Sequence, residues 1–219
     1  MTGETPDMNV KTYVTTLQAQ VDDMRQSGRY DDVTFEIYNS MPEGSIEEME
    51  NDVAEQEGIP DFRVPDRIKA FYRVANGFKL GWVYVEDTVA GRQPVGTADI
   101  ASLPELYVPL DEAERAIRYD DGYRTFDNMD VDEQVVLKFH RSVDEPEFYY
   151  HLPKLGAYYR LALDFSTYLD LLLQTKGLYP WQHFFIDDPA FRRDEWAERA
   201  FFEILPRLFP DADVARFQR

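Results

Sequence analysis

Three histidines, His140, His151 and His183, are the only imidazoles in the chain. No two are close in sequence and none forms an HExxH pair, so they do not make the clustered ligand set a metal requires. Cysteine is absent, which excludes thiolate zinc sites, disulfides and thiol nucleophiles. The stretch DNMDVDE, residues 127–133, alternates acids as a calcium loop does. Counted from Asp127, the sixth residue is Asp132 where the loop needs Gly, and the twelfth is Lys138 where it needs Glu. The stretch reads better as a turn between strands. No nucleophile elbow, phosphate-binding P-loop or GxGxxG is present. What remains is carboxylate chemistry. With 42 acids, some pair will always lie near another, so acid–base work becomes a reading only where a pocket gathers them. Trp181, Phe184 and Phe185 can line such a cleft, but rings of that size are expected mainly as core. The residues assign no catalytic group, no metal ligand and no cofactor.

Charge is the strongest bulk signal. Asp and Glu outnumber Lys and Arg by 42 to 23, for a net charge of −19 in 219 residues. Direct binding to a nucleic-acid backbone needs surplus positive charge and is not expected. The plain consequence is solubility; the sharper one is a basic protein partner drawn in by the field. Two acidic runs stand out. Residues 43–57 contain Glu43, Glu47, Glu48, Glu50, Asp52, Glu55 and Glu57 without a base; residues 120–133 contain Asp120, Asp121, Asp127, Asp130, Asp132 and Glu133 against Arg124 alone. A charge run is ordinarily a solvated face. The N-terminus, MTGETPDMNV, has neither a basic region nor an apolar run, and no stretch approaches the roughly 18 apolar residues of a bilayer span. A soluble, cytoplasmic protein is expected.

The elements that would carry these acids follow from periodicity. Val10, Tyr13, Leu17, Val21 and Met24 predict a helix over 9–26, ended by Gly28, and Val33, Phe35 and Ile37 predict a short strand. SIEEMENDVAEQEG reads as a helix opened by a Ser45–Glu48 capping box, with Ile46, Met49 and Val53 inward and Gly58 as its stop. After IPDFRVP, Ile68, Phe71, Tyr72 and Ala75 form the stripe of another helix. Asn76-Gly77 ends it and turns the chain into the strand FKLGWVYV, because Gly takes a left-handed conformation without a Cβ clash. Residues 95–100 predict a strand, and residues 111–126 a short helical stretch and a turn at Asp121-Gly122. Residues 135–139 and 148–152 predict an antiparallel hairpin. Asp164 caps a helix through Leu173 that Gly177 stops, and a last helix spans about 194–204 before Pro206 and Pro210. The order predicts an α+β fold: a twisted, mostly antiparallel sheet flanked by helices, with helical N- and C-terminal extensions.

Residues 46–173 resemble the SUKH superfamily, which contains the fungal cell-wall-synthesis regulators and many bacterial toxin-immunity proteins. The resemblance rests on a series: IEEMENDVAEQEG, the link IPDFRVP, DRIKAFYRVANG ending in Asn76-Gly77, FKLGW with Trp82, then FYYHLP and RLALDFSTYLDLLL. It implies a domain over 41–178, with residues 1–40 and 179–219 as additions. It implies a protein-binding role without a shared catalytic centre, and, among bacterial members, neutralisation of a toxin, often a nuclease, by direct contact. An acidic inhibitor can imitate the phosphates a basic nuclease cleft holds. The expected partner is therefore a protein toxin or another basic protein, and the expected contact residues are Glu47, Glu50, Asp120, Asp121, Asp130 and Asp132. Two other readings stand beside it: a hydrolase using carboxylates in a cleft between the sheet and the C-terminal aromatic segment, and a regulatory adaptor without a toxin.

Overall fold

A computed structural model describes residues 9–86, 88, 91–107, 122–138, 145–193 and 195–217, with the Glu57 side chain excepted. Its centre is an open seven-stranded sheet in which every strand pairs antiparallel with its neighbour in sequence. The strands are β1 (Tyr30–Ile37), β2 (Phe78–Tyr84), β3 (Val95–Ile100), β4 (Tyr123–Asp130), β5 (Glu133–Lys138), β6 (Glu147–Leu152) and β7 (Ala157–Arg160). The helices are α1 (Val10–Ser27), α2 (Glu43–Glu57), α3 (Asp66–Tyr72), α4 (Leu103–Tyr107) and α5 (Phe165–Thr175). Then α6 (Glu195–Arg199) continues through a π-helical turn (Ala200–Ile204) into α7 (Leu205–Leu208). The α+β expectation is met. No helix among the described residues is long and apolar enough to cross a membrane.

Period-2 alternation places Phe78, Leu80, Trp82 and Tyr84 of β2 in the core and leaves Lys79 exposed. The helices meet that face through rings. Phe71 of α3 lies edge-on to Phe78 and Phe165, with centroids 6.4 and 5.7 Å away, and Phe165 contacts Phe126 of β4 at 5.7 Å. α1 begins as its periodicity predicts, with Asn9 accepting the Thr12 N–H at 3.2 Å, and ends on Gly28. α2 differs: it starts at Glu43 behind Pro42, and Ser45 lies within the helix, so the predicted capping box does not form. α3 ends at Tyr72, short of the predicted Asn76-Gly77 stop, so Ala75 is buried from the turn beyond the helix. Gly77 still has a positive φ, 89°, and a second constraint besides. A Cβ there would lie 2.3 Å from the Ile100 carbonyl oxygen. Asn76 turns its side chain to the next element, accepting the Leu103 N–H at 2.9 Å. Gly96 answers a packing demand: an added Cβ would meet the Trp82 indole at 2.0 Å.

The two terminal regions are built into the same core. β1 adds an edge strand to β2, with Ile37 opposite Phe78. From the other end of the chain, Phe209 stacks on Tyr30 at 6.4 Å and meets Trp82 edge-on at 5.8 Å. The sheet is splayed in its middle. β3 and β4 share one paired position, Ile100 with Asp127. The first half of β3 instead bonds the segment after α5, through Thr97 N–H to Gly177 O at 3.0 Å and Tyr179 N–H to Val95 O at 2.9 Å.

Candidate functional site

α2 is amphipathic in a way that fixes its acids. Ile46, Met49 and Val53 are buried, and the opposite side exposes Glu47, Glu48, Asp52 and Glu55. Among the described residues no ion pair engages these four. Glu43, at the helix start, is held by Arg73, whose guanidinium and hydrogen bond keep its carboxyl below the usual range. The acids sit at successive steps of one, four and three residues, so they project along one rigid side of the helix.

Glu50 corrects the sequence expectation. It falls four residues after Ile46, on the inward stripe, and is 2% exposed. Its Oε1 accepts from Lys69 Nζ at 2.7 Å and from the Val64 N–H at 2.7 Å, while Arg63 Nε stands 3.7 Å from Oε2. Its charge is consumed within the protein, joining α2 to α3 and to the link before it. Glu47 and Glu50 do border one hollow of about 270 Å³, together with Arg63 and Lys69. Glu47 is its exposed rim and the Glu50–Lys69 pair is a buried wall.

The second acidic run divides. Asp120 and Asp121 lie outside the described residues, as do the predicted helical stretch before them and His140. Asp130 is exposed at the tip of the β4–β5 hairpin beside Val131, which is 79% exposed. Asp132 is paired with Lys154 at 2.5 Å. The DNMDVDE stretch is the end of β4 plus this tight turn, and among the described residues no group of three or more candidate ligands is placed to hold a metal ion.

Asp127 is the chemically unusual carboxylate. It is fully buried where β3 and β4 part, and its side chain fills the missing sheet pairing. Oδ1 accepts the Asp99 N–H at 2.8 Å and Oδ2 accepts the Tyr168 hydroxyl at 2.7 Å. Desolvation pushes its carboxyl up to about 6; the two hydrogen bonds pull the other way, and the nearby Asp99 charge adds to the rise. Tyr168 is in turn raised well above its usual value, by burial first and by Asp127 second. The Asp127 side chain has no access to solvent, and both of its oxygens are engaged by groups of the protein.

A further network surrounds Glu133, whose Oε2 accepts from the hydroxyls of both Tyr150 and Tyr179. With its hydroxyl proton given to Glu133, Tyr150 is left to accept at 2.8 Å from His183, which therefore carries the proton on Nε2. His151 stacks on Tyr158 at 4.2 Å on the open face of the sheet. Both histidines occupy positions fixed by neighbouring rings. Trp181, Phe184 and Phe185 are buried as core, and Phe184 and Phe185 also back a cleft between the end of β7 and residues 183–193. The sequence pointed to that cleft through its aromatics. It missed Lys69, although a Lys beside Ile68 on an inward stripe is the signal for a buried partner.

No family model, no curated protein and no solved structure matches the chain.

Proposed function

We propose that the protein is a non-catalytic binding module that meets a basic protein through the outward face of α2, and that it acts as an immunity protein against a toxin. The observation that carries this reading is the row Glu47, Glu48, Asp52 and Glu55, exposed and without ion pairs among the described residues, on a helix whose other side is locked into the core. Such a row is preformed, so little ordering is required at the moment of contact. It belongs to a molecule of net charge −19, whose field steers a basic partner toward it. The resemblance of residues 46–173 to the SUKH superfamily supports the same role. Asp130 at the hairpin tip is a second contact point, separate from α2; Glu50 is excluded from the contact set by its internal pairing.

The test is calorimetric titration with the protein encoded by the adjacent gene. The variant Glu47→Lys with Asp52→Lys should bind about tenfold or more weakly, a loss of about 1.4 kcal/mol or more. Asp130→Lys should weaken binding by a smaller factor. Unchanged affinity in the α2 variant would remove this face from the proposal.

A further inference from the structure

The backbone of residues 185–187 runs beside β7 as a short extra edge. Ala162 N–H bonds Phe185 O at 2.8 Å, Asp187 N–H bonds Arg160 O at 2.9 Å, and Leu161 bridges Ile186. The chain then turns at Asp188, whose Oδ1 accepts the Ala190 N–H at 2.8 Å. Between this edge and the returning chain lies a cleft of about 460 Å³, within the range of sites that take a ligand or a side chain. Its walls are aromatic, with Phe184, Phe191 and His183 among them, and Asp187 and Asp188 also line it.

The sign of the cleft follows from charge accounting. Arg193 is the cation in the lining, and it is already paired with a ring and a carboxylate of the protein. Its guanidinium carbon lies 4.5 Å from the Phe184 ring centroid, and its Nε lies 3.3 Å from a Glu198 oxygen. Arg192 is exposed, lies outside the lining and bonds the carbonyls of Pro189 and Phe191, which leave its charge in place, and the Arg160 side chain pairs with Glu147 at 3.1 Å. Asp187 is exposed and joins no ion pair among the described residues. The lining, with Asp187 and Asp188 against the already paired Arg193, is therefore aromatic and net negative, a combination that favours a cation which can lie against an aromatic ring and meet a carboxylate. The Arg193–Phe184–Glu198 arrangement is that same combination, formed by the protein's own guanidinium in the same wall.

We infer that this cleft receives an arginine or lysine side chain of the partner, as an anchor distinct from the contacts of α2. The basic character of the partner rests on the function proposed above; the cleft and its sign do not. Anchors of this kind concentrate binding energy where a long side chain is desolvated in a rigid pocket. The backbone bonds that pin residues 185–187 supply that rigidity.

The inference is tested without the partner, by following the backbone amide NMR signals of Ala162, Asp187 and Phe191 in the full chain during titration with N-acetyl-arginine amide. Saturable shifts confined to the cleft are expected at about millimolar concentration, the range for one isolated side chain. The neutral citrulline counterpart should bind about tenfold more weakly. Asp187→Asn with Asp188→Asn, which keeps the acceptor for Ala190, should weaken the arginine derivative about fivefold or more. Equal binding of the citrulline compound, indifference to the double substitution, or shifts spread over the whole surface would overturn the inference. So would free arginine binding about tenfold tighter than the amide, because the occupant would then be a small amino acid and not a side chain. Failure here, with partner affinity still lost in the α2 variant, rejects the cleft and leaves the binding module standing.

Discussion

Replacing Glu50 by Leu should cost the fold about 3 kcal/mol, because a charge inside α3 would lose its counter-ion. Lys69 is 9% exposed and Glu50 2%. Their bond at 2.7 Å, with the Val64 N–H on the same oxygen, closes the junction between the two helices. Removing the carboxylate leaves an ammonium and a backbone donor without the partner that both were folded around, and each loss is destabilising. The Lys69 side chain retains 11% exposure, which sets the expectation at the lower end of the range for broken buried pairs. The pair itself adds little net stability over an apolar substitute. The double variant Glu50→Leu with Lys69→Met should therefore recover at least about 1 kcal/mol relative to Glu50→Leu alone. Urea unfolding of the two variants decides the matter. Additive losses would mean that the charges do not depend on each other. The same experiment guards the functional reading, since a Glu50 variant that loses partner binding would do so through α2 itself coming loose.

Asp127→Asn should change how stability depends on pH by about 3 kcal/mol. The Asp127 carboxyl titrates at about 6 in the folded protein against an ordinary value of 3.8. Its folded value is raised, so the folded state holds the proton more tightly than the unfolded chain does. The stabilisation is fully present below 3.8 and is lost as pH rises through 6. Above that value the ionised group sits fully buried, with Tyr168 and the Asp99 N–H as its hydrogen-bond partners and Asp99 adding a like charge. Asparagine keeps the acceptor for the Asp99 N–H and carries no charge. It can donate to the Tyr168 hydroxyl, whose proton then needs a new acceptor; a flip of the Gln182 amide, which now points its NH2 at that hydroxyl from 3.4 Å, would bring the Gln182 oxygen there. Unfolding free energies for both proteins, measured from about pH 3.5 to 7.5, should diverge in favour of the variant as pH rises. Parallel curves would show that Asp127 is not the titrating group.

Much of the scaffold was legible because it obeys simple periods. The stripe Tyr13, Leu17, Val21 and Met24, the alternation in β2 and the Asp164 cap each satisfy a local rule, and the structure places them as those rules require, whereas α3 ends at Tyr72, four residues before the Asn76-Gly77 step predicted to stop it. Glu50 was misplaced because its acidic neighbours were read as one run. The period of the helix, four residues on from Ile46, puts it inside. Asp127 was read as part of a turn for a different reason: β4 carries register shifts on both sides of it, so alternation fails where the residue is turned inward. The splayed β3–β4 junction depends on bonds from Gly177 and Tyr179, far along the chain, and no local pattern announces them. The exposed row on α2 and the hairpin tip were legible as acid runs. Which of their carboxylates are already spent on Lys69, Arg73 or Lys154 is a property of the folded state alone.

The claim at the centre of this account is that a fixed, negatively charged helix face captures a basic protein. The most direct measurement is the stopped-flow association rate of the chain with its neighbouring gene product, taken from about 50 to 500 mM salt, over which the screening length falls to a few ångströms. The account predicts a rate that drops about tenfold or more across that range, with a shallower slope for Glu47→Lys combined with Asp52→Lys. A rate indifferent to salt, or a slope unchanged by reversing those two charges, would contradict it.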